Sequence, residues 1–110
     1  MLPSSMVDVQ EYIDSRGLSP HRRWFDRLDP QAAAKVSTAL VRLSLGNFSQ
    51  VKGVGAGVFE HKIDFGPGYR IYFGKDGENL IILLGGGTKQ RQQRDIEAAV
   101  ECWEDYQRRK

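Results

Sequence analysis

The stretch VFEHKIDFGPGYRIYFG, residues 58–74, decides the fold. Two alternating runs flank Gly66-Pro67-Gly68, a turn tripeptide. Successive strand side chains point to opposite faces, so Phe59, His61, Ile63 and Phe65 share one face while Glu60, Lys62 and Asp64 share the other. In the second run Tyr69, Ile71 and Phe73 fall together, opposite Arg70 and Tyr72. Folded back on each other, the two runs form an antiparallel hairpin with one apolar face and one polar face.

Further along the chain, Lys75-Asp76-Gly77-Glu78 turns the second run into NLIILLGG (79–86), a third strand, and connections this tight make a meander. Upstream, SQVKGVGAG (49–57) has three alternate glycines and little patterning, and reads as a flexible loop or an irregular edge strand. MVDVQEYI (6–13) alternates as a half-buried strand. Ser19-Pro20 and Asp29-Pro30 each set an N-cap before a proline whose missing N–H costs nothing in a first helical turn. The first helix, about 20–28, buries Trp24, Phe25 and Leu28. The second, about 30–45, repeats Ala33, Val36, Leu40 and Leu43 and stops at Leu45-Gly46-Asn47. A short linkage makes the two an antiparallel helical hairpin. A last helix, about 90–108, aligns Ile96, Ala99, Val100, Trp103 and Gln107. The expected fold is a single α+β domain over 1–110, ordered β-α-α-β-β-β-α, with its helices on one face of a small antiparallel sheet.

Composition narrows the classes. A chain of 110 residues, 40% hydrophobic and 27% charged, suits one globular domain, and a net charge of +2 does not by itself argue for nucleic acid. Basic residues cluster instead: Arg22, Arg23 and Arg27; Lys89, Arg91 and Arg94; Arg108, Arg109 and Lys110. The single cysteine, Cys102, cannot form an internal disulfide, and two separated histidines, His21 and His61, give no metal-ligand spacing. The longest apolar run, LIILL (80–84), is strand-sized, and the N-terminus lacks the regions of a signal peptide. These features point to a soluble, cytoplasmic domain without a cofactor. GGGTK (85–89) is no phosphate loop, since Gln90 follows Lys89, and the glycines of 53–57 miss the dinucleotide fingerprint.

With the apolar faces turned to the helices, the expected open face carries Glu60, Lys62, Arg70 and Tyr72, joined by Lys89. Cations hold phosphates, an aromatic ring stacks a base, and a carboxylate or phenol moves a proton: this is equipment for RNA. An ordinary solvated sheet face with Glu60–Lys62 or Glu60–Arg70 surface pairs shows the same pattern. His61 points to the core side as a packed histidine unless a bulge reverses it. His21, in a first helical turn, is expected at the surface.

GVFEHKIDFGPGYRIYF, ILLGGGTK and QQRDIEAAVECW, in this order, resemble the RelE/ParE superfamily of small toxins, closest to its HigB-like addiction-module-killer branch. The matching positions are Gly57, residues 60–63, Gly66 to Tyr72, residues 86–89, and Gln92 with Asp95-Ile96. Lys62 stands where the family usually has arginine, keeping the charge without the planar fork. His61 replaces a leucine, and Gln90-Arg91 a frequent Ser-Thr pair. The resemblance implies the toxin of a type II toxin–antitoxin pair that cleaves messenger RNA on the ribosome by 2′-OH attack. Arg70 would sit on the scissile phosphate, supported by Lys62 and Lys89, with Glu60 or Tyr72 moving protons and His61 in reserve. Lys52 and Arg91 would contact RNA, and Arg22 and Arg23, with Arg27, ribosomal RNA or simply solvent. The implied partner is an antitoxin, usually a small helix-turn-helix protein. A gyrase poison of ParE type and a non-catalytic, degenerate binding module are the alternatives.

Overall fold

The computed structural model describes residues 6–110. Its elements are β1 (Asp8–Glu11), α1 (Pro20–Phe25), α2 (Pro30–Ser44), β2 (Val51–Gly55), β3 (Val58–Ile63), β4 (Tyr69–Lys75), β5 (Leu80–Thr88), a 3-10 turn (Lys89–Arg91) and α3 (Gln92–Arg109). Five strands form one mixed sheet in the order β1-β5-β4-β3-β2, antiparallel throughout except for β1, which runs parallel to β5. The fold is therefore α+β, with one strand more than the expected order and a parallel edge pair.

Both helix starts form as the sequence dictates. Ser19 Oγ accepts from the Arg22 amide at 3.0 Å, and Asp29 Oδ1 from the Ala32 amide at 2.9 Å. Each side chain satisfies one of the amides that a helix start leaves without a partner. Residues 49–57, read as loop or edge strand, supply the edge strand β2. Its hairpin with β3 turns through residues 55–57 at positive φ, which is what the closely spaced glycines permit.

The expectation that all helices lie on one face is overturned. One face, carrying Ile63, Ile71, Phe73, Ile81 and Leu83, packs against Val36, Ala39 and Leu43 of α2 and the partly buried Trp24 and Phe25 of α1. The other, carrying Val58, Tyr72, Ile82 and Leu84, packs against Ala99 and Trp103 of α3. Two apolar layers flank the sheet because β5 has apolar side chains on both sides. His21 also departs from expectation. It is 2% exposed and its ring lies near Trp24 and Phe25, beneath the polar face of α1 that Arg22 and Arg23 form.

The glycines at the end of β5 let the layers close. A Cβ on Gly86 would overlap the Trp24 ring, and one on Gly87 would overlap the Asp95 carboxylate from the opposite side. GGGTK is thus a landing surface for α1 on one face and for α3 on the other.

Candidate functional site

Register settles which side chains stand together. Glu60 pairs with Tyr72, Lys62 with Arg70, and Lys52 with Glu60, so Lys52, Glu60, Lys62, Arg70 and Tyr72 project from one face. The shared parity holds; the openness expected of that face does not. Glu60 is 1% exposed, Arg70 5% and Tyr72 0%, because the first turns of α3 lie over them. Lys52, Lys62, Lys89 and Arg91 remain exposed at the margin.

Beneath α3 the buried groups form a polar cluster. Gln92 Nε2 donates to Glu60 Oε1 at 2.7 Å. Arg70 Nε lies 3.2 Å from the same oxygen, pairing as a charge although its N–H is not aimed along a hydrogen bond. Arg70 Nη1 donates to the Gly68 carbonyl at 3.1 Å, and Lys52 Nζ approaches Glu60 Oε2 at 3.8 Å. The Glu60–Arg70 pair is therefore a buried ion pair, where the ordinary surface reading placed it in solvent. The Tyr72 hydroxyl and Asp95 Oδ2 are buried without a hydrogen-bond partner. Burial, then the Glu60 and Asp95 carboxylates, push the Tyr72 phenol up, so it stays protonated at neutral pH. Burial raises Asp95 as well, against the lowering pull of Arg91 and Arg94.

Gln92 and Asp95 belong to this cluster, and the reading of the strands alone omitted them. Their signal was the i, i+3 spacing of Gln92 and Asp95 at the start of α3, which sets both on one helix face. Arg27 also comes near: with Trp24, Gly87, Arg91 and Asp95 it lines a groove of about 230 Å³ beside the cluster. Arg22 is instead tied to Glu11 at 2.7 Å, and Arg23 lies away from the cluster, beside Arg16 and Arg27. His61 points to the α2 side, as alternation predicts, and is 2% exposed with Nδ1 unpartnered. The one register irregularity of β4 and β5 opposes Tyr72 and Phe73 to Gly85 and Leu83, and leaves His61 in register. No helix among the described residues is long and apolar enough to cross a membrane.

The arrangement is an α+β domain with helices on both faces of its sheet and a buried Glu–Arg–Tyr cluster ringed by exposed cations. No family model matches the chain. An uncharacterized protein of Haemophilus influenzae is 43% identical over 77 residues, which span 69% of this chain and 78% of that protein. The chain belongs to the same family as that protein.

Proposed function

We propose that the protein is an RNA-directed toxin of a type II toxin–antitoxin pair, of RelE/ParE kind, that cleaves messenger RNA on the ribosome and is held in check by a small antitoxin in the cytoplasm. The observation that carries this reading is the cluster itself. A buried Glu60–Arg70 pair with two unpartnered oxygens beside it is costly, and packing alone would be served better by apolar side chains. Four exposed cations, Lys52, Lys62, Lys89 and Arg91, border it and suit the phosphates of a single strand. In the mechanism, Arg70 stabilises the charged phosphorane, Glu60 takes the 2′-OH proton and the protonated Tyr72 stands near the leaving oxygen. Access to Arg70 requires the first turn of α3 to lift.

The burial of Glu60, Arg70 and Tyr72 favours a second reading, a module that binds RNA through the rim and does not cut. Inducible expression in bacteria, with mapping of messenger RNA 5′ ends, separates the two. Cleavage predicts growth arrest with translation-dependent cuts, and loss of both in a Lys62→Ala/Lys89→Ala variant. Those lysines are exposed, so the variant stays within about 0.5 kcal/mol per site of the parent. Arrest without cuts leaves the binding reading, and no arrest refutes the toxin.

A further inference from the structure

We propose that the groove between α2 and the end of β3, on the opposite side of the sheet from the Glu60–Tyr72 cluster, is a binding site for a phosphate group. The groove encloses about 310 Å³ and is lined by Lys35 and Arg42 from α2, Gln50, His61 and Asp64, with Lys62, whose Cβ leaves the sheet on the Glu60 face, at its rim where β3 ends. Three cations face one carboxylate. Asp64 lies 3.4 Å from Lys62 and is itself largely exposed, whereas Arg42 makes no ion pair among the described residues. Lys35 lies over the Phe65 ring, which directs its charge without neutralising it.

Unpaired surface cations are common and mark nothing by themselves. Here they converge on a recessed ring, that of His61, which is 2% exposed and whose Nδ1 has no hydrogen-bond partner. A buried ring nitrogen without a partner is costly unless a ligand supplies one. Burial, and then the Arg42 charge, hold the His61 pKa below its usual value. Beside the ring, Arg42, Lys35 and Lys62 outnumber the one carboxylate of Asp64, an excess of positive charge that an anion would relieve. Arg42 offers a planar fork, Lys35 and Lys62 point charges and Gln50 an amide, a set that suits the tetrahedral oxygens of a phosphate. The site shares Lys62 with the rim of the toxin reading, but neither Glu60 nor Arg70 nor Tyr72 lines it, and its test rests on Lys35 and Arg42, which that reading does not use.

The test is an NMR titration of the protein with inorganic phosphate, and then with a 5′-phosphorylated trinucleotide, following the His61 imidazole. Saturable shifts at millimolar phosphate are expected, with affinity at least about tenfold weaker in a Lys35→Ala/Arg42→Ala variant and unchanged in Arg108→Ala. Both α2 residues are exposed, so their removal leaves the core intact, whereas replacing His61 disturbs it. A trinucleotide bound more than about tenfold tighter than phosphate assigns the group to an RNA end; equal affinities assign it to a free phosphorylated ligand. No saturable shift up to about 20 mM, or equal affinity in the alanine pair, overturns the site.

Discussion

Replacing Arg70 by methionine tests the buried ion pair most directly. Arg70 is 5% exposed and Glu60 1%, so the substitution leaves a carboxylate in the interior without its nearest cation. Two groups soften the loss: Gln92 still donates at 2.7 Å, and Lys52 still approaches at 3.8 Å from an exposed position. Breaking a buried pair by removing one partner costs about 3–5 kcal/mol, and these compensations set Arg70→Met at the lower end, about 3 kcal/mol. For a domain of this size that corresponds to a fall in Tm of about 12 °C. Glu60→Met leaves the guanidinium with only the Gly68 carbonyl and costs a similar amount. Removing both charges together leaves no buried charge unpaired, only the neutral Gln92 amide and Gly68 carbonyl without their partners, so the double variant stays within about 2 kcal/mol of the parent, a coupling of about 4 kcal/mol. Urea denaturation of the four proteins measures the cycle. An Arg70→Met cost below about 1 kcal/mol, or a double variant as unstable as the two singles combined, refutes the buried pair. The same arithmetic bears on any toxicity assay: loss of arrest on removing Arg70 reports on function only after the folded fraction has been measured.

Two further outcomes follow from the packing of the site. Gly87→Ala drives a methyl group into the Asp95 carboxylate and should cost about 2 kcal/mol, most of it recovered in Gly87→Ala/Asp95→Ala; full stability of the single variant in urea would count against the close approach. Burial holds the pKa values of His21 and His61 below their usual value, so the unfolded chain takes up protons first as pH falls. Stability is therefore full above about 6.5 and declines toward lower pH, by up to ~1.4 kcal/mol per pH unit for each ring. Asp95, raised by burial, acts oppositely in a window that opens near its unfolded value, below that of the histidines. Denaturation at pH 7.5 and 5.5 checks the slope, and equal stabilities would contradict both buried rings.

Much of the fold was legible because backbone rules are local. Parity placed Phe59, His61 and Ile63 against Ile71 and Phe73, and the register agrees residue by residue. The caps at Ser19 and Asp29 form because a short polar side chain beside a proline leaves the backbone few alternatives. What failed was the assignment of layers, which is a matter of tertiary packing. The clue lay in LIILL: five consecutive apolar residues fit a strand covered on both faces, and Leu80, Ile82 and Leu84 belong to the α3 side while Ile81 and Leu83 face α2. Glu60, Lys62, Arg70 and Tyr72 were correctly grouped by face, yet exposure does not follow from parity. Nothing local in the strands announces that Trp103 seats α3 against Gly57 and Gly74. His21 was misplaced for a related reason: Arg22 and Arg23 after it are exposed, and one helical turn is enough to send the preceding side chain inward.

The anchoring of α3 is uneven, and this bears on how the buried cluster could work. Toward its C-terminal end, Trp103 is buried in the apolar layer, Tyr106 donates to Asp76 at 2.7 Å, and Tyr12 donates to Asp105 at 2.6 Å. Lys110 adds an ion pair with Asp76 at 2.8 Å. At the other end the described side-chain hydrogen bond to the sheet is that of Gln92 with Glu60, and two oxygens, on Tyr72 and Asp95, are buried without partners. Local opening is easiest where few apolar contacts are lost and where unpaired polar groups gain water. Both conditions favour the first turns of α3 over its last. Opening there would hydrate Tyr72 and Asp95 and uncover Arg70, while Trp103 kept the rest of the helix seated. The burial that argues against a preformed open active face is thus weakest over the groups a phosphate would have to reach. Hydrogen exchange that is slow along residues 92–96 and fast along 102–106 would reverse this ordering and leave the cluster a sealed structural element.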